Sequence, residues 1–260
     1  MGFIDHLEEL RWHLVRGCLA IGVCMIFMFT YLTDIIQNVV LAPFRKEFIS
    51  NAILCKFSAG LCFEKIDVLF QSTEPYEQFT KAIFLALTGG LILSSPYILW
   101  EVWRFVKPGL HPIEVKRTRG FVAAASFLFL FGVLFGYFVI TPFSVRFLAS
   151  FKLAGDVQNV WRIGNVISMI TEISLAGGLL FGMPVIAFFL SKRGILAPAV
   201  MRNYRRHAVI VILIVAGILT PPDPISQILL GVPMYLLYEI SILISASVRK
   251  KMEEEDRQFM

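Results

Sequence analysis

Six long apolar runs, none with more than one charge inside it, decide what this chain can be. They cover residues 17–33, 82–100, 120–145, 163–191, 208–222 and 224–248. Each exceeds the roughly ten residues of a barrel strand and none alternates in polarity, so each reads as a membrane helix. The fold class this predicts is an all-α membrane protein in which six transmembrane helices form a concave bundle, a single integral membrane domain over residues 1–260. Composition agrees: 57% of the residues are hydrophobic and the mean hydropathy is +0.73, beyond what a soluble domain of this size carries.

Six crossings return the chain to the side on which it starts. The tails and the 104–119 and 192–206 loops hold 16 of the 24 Lys and Arg, and the opposite side holds 8. The positive-inside rule therefore predicts both termini in the cytoplasm. The same topology accounts for the net charge of +5, so no nucleic-acid partner is expected. No cleavable signal peptide is expected either, because the first 13 residues are mixed polar and the first apolar run is long enough to span.

The segments between the runs are more individual. Phe3, Leu7, Leu10 and Leu14 fall on one helical stripe, with Asp5, Glu8, Glu9 and Trp12 off it. This predicts an amphipathic helix over 1–13 that rests on the membrane surface before the first span. Between spans two and three, Pro108 and Pro112 forbid a continuous helix. Arg104, Lys107, Lys116, Arg117 and Arg119 crowd around one acid, Glu114. That acid is either a solvated counter-charge or a recognition carboxylate on a rigid loop. The fifth run has 15 residues, roughly 22 Å of helix against a hydrocarbon core of about 30 Å. It turns at Thr220-Pro221-Pro222-Asp223-Pro224. The expected short fifth and sixth helices need shielding by neighbours or a locally thinned bilayer. The outer loop, 34–78, carries Cys55 and Cys62, which can pair in an oxidising compartment. Cys18 and Cys24 lie in the first span as packing residues. Residues 249–260 are expected as a cytoplasmic tail.

Two acids interrupt the apolar runs, Glu172 and Glu239. Each is costly at the bilayer centre unless protonated, paired or hydrated. They mark a polar, proton-linked site or lie close to an interface. Pro96, Pro184 and Pro233 can bend their helices, and Gly132…Gly136 and Gly178…Gly182 have the spacing for close helix contact. His6, His13, His111 and His207 are scattered, and no phosphate loop, metal spacing or nucleophile elbow is present. No enzyme activity, metal or cofactor is expected. A proton-coupled small-molecule transporter using Glu172 and Glu239 is the alternative function, against which stands the absence of a repeated half.

A set of short motifs resembles the TatC family, the polytopic subunit of the twin-arginine protein translocase, over nearly the whole chain. They are His6-Leu7-Glu8-Glu9-Leu10-Arg11, Leu41-Ala42-Pro43, Ser95-Pro96-Tyr97, Trp100-Glu101-Val102-Trp103-Arg104-Phe105 with Lys107-Pro108-Gly109-Leu110, and Phe138 with Pro142-Phe143. Leu219-Thr220-Pro221-Pro222-Asp223, Ser226-Gln227, Pro233-Met234-Tyr235 and Tyr238-Glu239-Ile240 complete the set. The resemblance implies a bacterial cytoplasmic-membrane receptor that binds paired-arginine signal peptides of folded proteins. It implies assembly with single-span TatA/TatB-type partners into an oligomeric complex, with export driven by the proton-motive force. It assigns signal-peptide binding to Glu9 and Glu114, with Glu8 and Arg11 beside them. It assigns the outer-hairpin partner contact to Thr220, Pro221 and Asp223; Glu239 and Gln227 fall within its motifs, and polar or coupling roles within the membrane are expected of them and, from its place in an apolar run alone, of Glu172. Carboxylates suit the task, because two guanidinium groups are held best in fork geometry. One departure stands out. The family often has an acid just before the proline of the fourth span, where this chain reads Phe181-Gly182-Met183-Pro184. Glu172 lies ten residues earlier, about 15 Å along a helix, and cannot fill the same place.

Overall fold

The computed structural model describes residues 3–57, 68–109, 120–151, 159–192, 197–219 and 224–258. Its helices, in chain order, are α1 (Phe3–Thr30), α2 (Leu32–Ile35), α3 (Ile49–Phe57), α4 (Glu77–Val106), α5 (Phe121–Phe135), α6 (Thr141–Ser150), α7 (Ile163–Phe181), α8 (Met183–Lys192), α9 (Pro198–Asn203), α10 (Arg205–Leu219) and α11 (Pro224–Gln258). Five helical stretches among the described residues are long and apolar enough to cross a membrane: Glu8–Thr30, Glu77–Val106, Phe121–Ser150, Ile163–Ser191 and Gln227–Lys250. The fifth apolar run forms α10, a helix of 15 residues, below that length.

Helix α7 is the centre of the core. Val166, Ile167, Ile170 and Ile173 are buried along it, and it packs on α4, α5 and α11. Its approach to α5 is close because both helices present glycine. A Cβ on Gly132 would run into the Gly177 carbonyl oxygen, and one on Gly136 would lie 2.7 Å from the Ile173 carbonyl oxygen. The expected Gly132…Gly136 seam is therefore present. The expected Gly178…Gly182 pair is not: Gly177 and Gly178 face α5, whereas Gly182 ends α7. Pro184 cannot donate to the preceding turn, so the fourth span divides into α7 and α8 there.

Several boundaries differ from expectation. The amphipathic segment and the first span are one helix of 28 residues, about 42 Å long, because no proline or glycine pair interrupts residues 3–16. The third span runs through Pro142 and on to Ser150. A π-helical turn over Gly136–Ile140 absorbs the proline, and Thr141 Oγ1 donates to the Gly136 carbonyl at 3.0 Å. The sixth helix is not short: α11 has 35 residues and includes most of the expected tail, where Lys, Glu, Arg and Gln favour helix. The outer loop holds regular structure among its described residues. Beyond α2 and α3 it supplies β1 (Leu69–Gln71), which pairs in parallel with β2 (Val160–Arg162), Leu69 opposite Val160. Phe44 packs edge-on against Phe70 and Trp161, with centroids 5.1 and 5.6 Å away, and ties this small sheet to the turn after the first span.

Helix α1 is attached differently from the rest. None of its described side chains is buried, and its packing is almost all against α4. Toward its C-terminal half the contact is backbone-close, since a Cβ on Gly90 would lie 2.8 Å from the Met25 nitrogen. Toward its N-terminal half the contact is polar, and that end holds the candidate site.

Candidate functional site

Glu101 lies near the C-terminal end of α4 with 2% of its surface exposed. A carboxylate this deep needs partners, and two side chains supply them. His13 of α1 donates from Nδ1 to Oε2. Arg104, one turn along α4, approaches Oε1 at 3.4 Å. The Arg104 guanidinium lies over the Trp100 ring at 4.8 Å, and the His13 ring meets Phe105 edge-on at 6.2 Å. The cluster pins α1 to the end of α4, where the chain goes on to Lys107–Gly109 and the basic segment beyond.

The residues expected to bind lie one turn up α1 from this pin. Glu9 and His13 are four apart and share a helix face. Glu9 is half-buried and makes no ion pair among the described residues. Glu8 and Arg11 are exposed and 3.6 Å apart; such a surface pair contributes little to stability and leaves both groups available. Glu114 lies outside the described residues, as do Thr220, Pro221, Asp223 and Cys62. Cys55 is disulfide-bonded, and Cys18 and Cys24 are free.

The polar residues expected within the membrane separate into distinct environments. Glu239 accepts from Arg205 at 2.7 Å and from the Tyr235 hydroxyl at 3.1 Å, so its charge is met where α10 begins. Gln227 donates from Nε2 to the Leu213 carbonyl at 2.9 Å and joins α10 to α11. Glu172 is exposed on α7. One turn before it on the same face, Ser168 accepts from Lys81 Nζ at 2.6 Å. Glu172 and Glu239 make no contact with each other among the described residues.

Two buried acids escaped the sequence reading. Glu101 stands within a quoted motif, and its i,i+3 spacing to Arg104 was the available signal; nothing local shows that His13, 88 positions away, closes the cluster. Glu77 is the other. Its carboxylate accepts from the Thr73 and Gly164 amides at 3.0 and 3.2 Å and from the Ser72 hydroxyl at 3.3 Å. It thereby caps the start of α7 from a different helix.

Comparison with known proteins agrees with this architecture. The family model described as Sec-independent protein translocase protein (TatC) matches residues 5–233. The Sec-independent protein translocase protein TatC of Blattabacterium sp. subsp. Periplaneta americana is 33% identical over 258 residues, covering 96% of this chain and 97% of the relative. TatC of Campylobacter jejuni is 35% identical over 259 residues, covering 96% and 98%. TatCy of Bacillus subtilis is 32% identical over 254 residues, covering 98% and 92%. A crystal structure described as the twin arginine translocase receptor TatC superposes with a TM-score of 0.75 at 26% identity, covering 94% of this chain and 99% of that one. With the matched family, the relatives and the shared fold all in agreement, this chain belongs to the TatC family of Sec-independent protein translocase proteins.

Proposed function

We propose that this multi-pass membrane protein is the receptor subunit of a twin-arginine translocase. Paired-arginine signal peptides of folded precursors dock at the end of the molecule formed by α1 and α4. Glu9 and Glu114 accept the two guanidinium groups, with Glu8 and Arg11 bordering the site. The observation that carries this reading is the Glu101–His13 pin. It holds the first turns of α1 in one orientation beside the end of α4, so Glu9 is presented from a fixed helix rather than from a free tail. Exposed ion pairs contribute about 0–1 kcal/mol each, so the apolar part of the signal peptide supplies much of the affinity by lying along a helix wall.

The chain crosses the cytoplasmic membrane six times, with α10 as the short crossing and both termini in the cytoplasm. Arg205, Arg206 and His207 anchor α10 at the interface. TatA/TatB-type single-span partners join it in an oligomeric complex. The α10–α11 hairpin with Thr220, Pro221 and Asp223 is their contact at the outer side, and export draws on the proton-motive force. Cys55 pairs with Cys62. The chain performs no catalysis; Glu239 is already neutralised by Arg205, which leaves Glu172 as the intramembrane acid without an ion-pair partner among the described residues.

Photocrosslinking tests the receptor reading. A probe replaces residues near Glu114 and in residues 3–11, in inverted vesicles, with a precursor carrying Arg-Arg or Lys-Lys in its signal peptide. Crosslinks with Arg-Arg that vanish with Lys-Lys, and weaken in Glu9→Ala and Glu114→Ala proteins, are the expected result. Equal crosslinks to both precursors would show generic apolar docking and defeat the carboxylate assignment.

A further inference from the structure

Helices α8, α9 and α11 line an open cavity of about 320 Å³. Its walls include Met183, Ile186 and Leu190 of α8, Val200 and Tyr204 of α9, and Tyr238 of α11. The lining is almost entirely apolar. The Tyr238 hydroxyl is turned away to the Met201 carbonyl, 2.8 Å distant. From Met183 to Leu190 the cavity follows α8 for about 10 Å. It begins at the α7–α8 break and ends beside α9.

The charge around the α9 end is one-sided. Residues 192–207 contain Lys192, Arg193, Arg202, Arg205 and Arg206 and no acid. Arg205 is neutralised by Glu239. Arg202 and Arg206 stand two residues to either side of Tyr204, a cavity wall; both are exposed and make no ion pair among the described residues. Tyr204 is 57% exposed, with its ring against His207 at 5.3 Å, as befits an aromatic at the headgroup level. A positive-inside bias explains cations on this side of the membrane. It does not explain why an apolar cavity ends among them.

We propose that this cavity is a binding site for an anionic phospholipid, with one acyl chain between α8 and α11 and the phosphate met by Arg202 and Arg206. The lining selects the hydrocarbon: its walls are apolar, and Ile186, Val200 and Tyr204 are each more than half exposed, so the groove opens to whatever surrounds the helices. Charge selects the headgroup, because two cations without counter-ions favour a net-negative phosphodiester over a zwitterion. The site depends only on the chain being embedded in a bilayer, not on the receptor reading above.

Native mass spectrometry and thermal unfolding of the full-length protein in detergent test it, with phosphatidylglycerol and phosphatidylcholine of identical acyl chains as probes. Each arginine near an anionic headgroup is worth a factor of about five. Phosphatidylglycerol is therefore expected to bind about 25-fold more tightly than phosphatidylcholine and to raise the melting temperature selectively. Arg202→Gln with Arg206→Gln should abolish that preference. Ile186→Trp, at an exposed wall position, should lower occupancy by both lipids while the lipid-free protein melts as before. Equal binding of the two lipids by the unmodified protein overturns the proposal. So does a preference that survives the double substitution, or undiminished lipid binding in Ile186→Trp. Protection of the cavity by a copurifying peptide rather than lipid would also overturn it.

Discussion

Glu101 shows how one side chain can matter more than its local sequence suggests. It ends an apolar run and precedes an arginine by one turn, the pattern of a solvated interfacial acid. Burial changes its role, because the carboxylate then depends on His13, with Arg104 a longer and more exposed second contact. Removing one member of a buried pair leaves the other uncompensated and typically costs about 3–5 kcal/mol. Glu101→Ala should therefore lower the melting temperature sharply in detergent. Glu101→Gln, which still accepts from His13, should do so much less. His13→Ala combined with Glu101→Ala should fall well short of additivity, the mark of a shared interaction. Arg104→Ala should have a small effect, since that side chain is 43% exposed and its contact is long. Additive losses from His13 and Glu101 would show that the two do not act as a pair.

At the scale of elements, helix contact in this protein is set by what the facing backbones allow. Where α5 meets α7, the atoms a new side chain would strike belong to backbone, and backbone carbonyls in a helix cannot step aside. Gly132→Ala should therefore force α5 and α7 apart and destabilise by about 1–3 kcal/mol, the usual range for overpacking. Gly17→Ala and Gly22→Ala, where a Cβ meets nothing within 4 Å, should be neutral or slightly stabilising through helix propensity. Melting temperatures of the three variants decide this. A Gly132→Ala protein as stable as the Gly17→Ala one would mean that the α5–α7 seam yields. The break at Gly182–Met183 belongs to the same scale, because it separates a tightly packed α7 from an α8 that borders a cavity.

For the whole molecule, the proposed parity of crossings is the quantity to measure. Five helical stretches pass the length and hydropathy needed to span, and α10 reaches only about 22 Å. If α10 crosses, the two termini lie on one side; if it does not, they lie on opposite sides. Single cysteines placed at residue 8 and at residue 250, in a chain whose native cysteines are replaced, should both be shielded from an impermeant thiol reagent in intact cells. Both should become reactive in inverted vesicles. Labelling of one end from each side would reduce the crossings to five and reverse half of the proposed topology.

Hydropathy and charge act locally, so the sequence alone determined that this is a helical membrane protein. It also determined where the apolar runs lie, that α10 is shorter than the bilayer core, and that cations cluster in the tails and in residues 104–119 and 192–206. It carried the motifs of the family as well, because those are contiguous. Whatever depends on two distant segments meeting was left to the tertiary structure. The π-helical turn before Pro142 lets a helix continue where proline by itself predicts an end. Gly177 rather than Gly182 faces α5, because which side of a helix is buried is settled by its neighbours. Glu101 and Glu77 are buried because α1 and α7 cover them, and a charge carries no local mark of being covered.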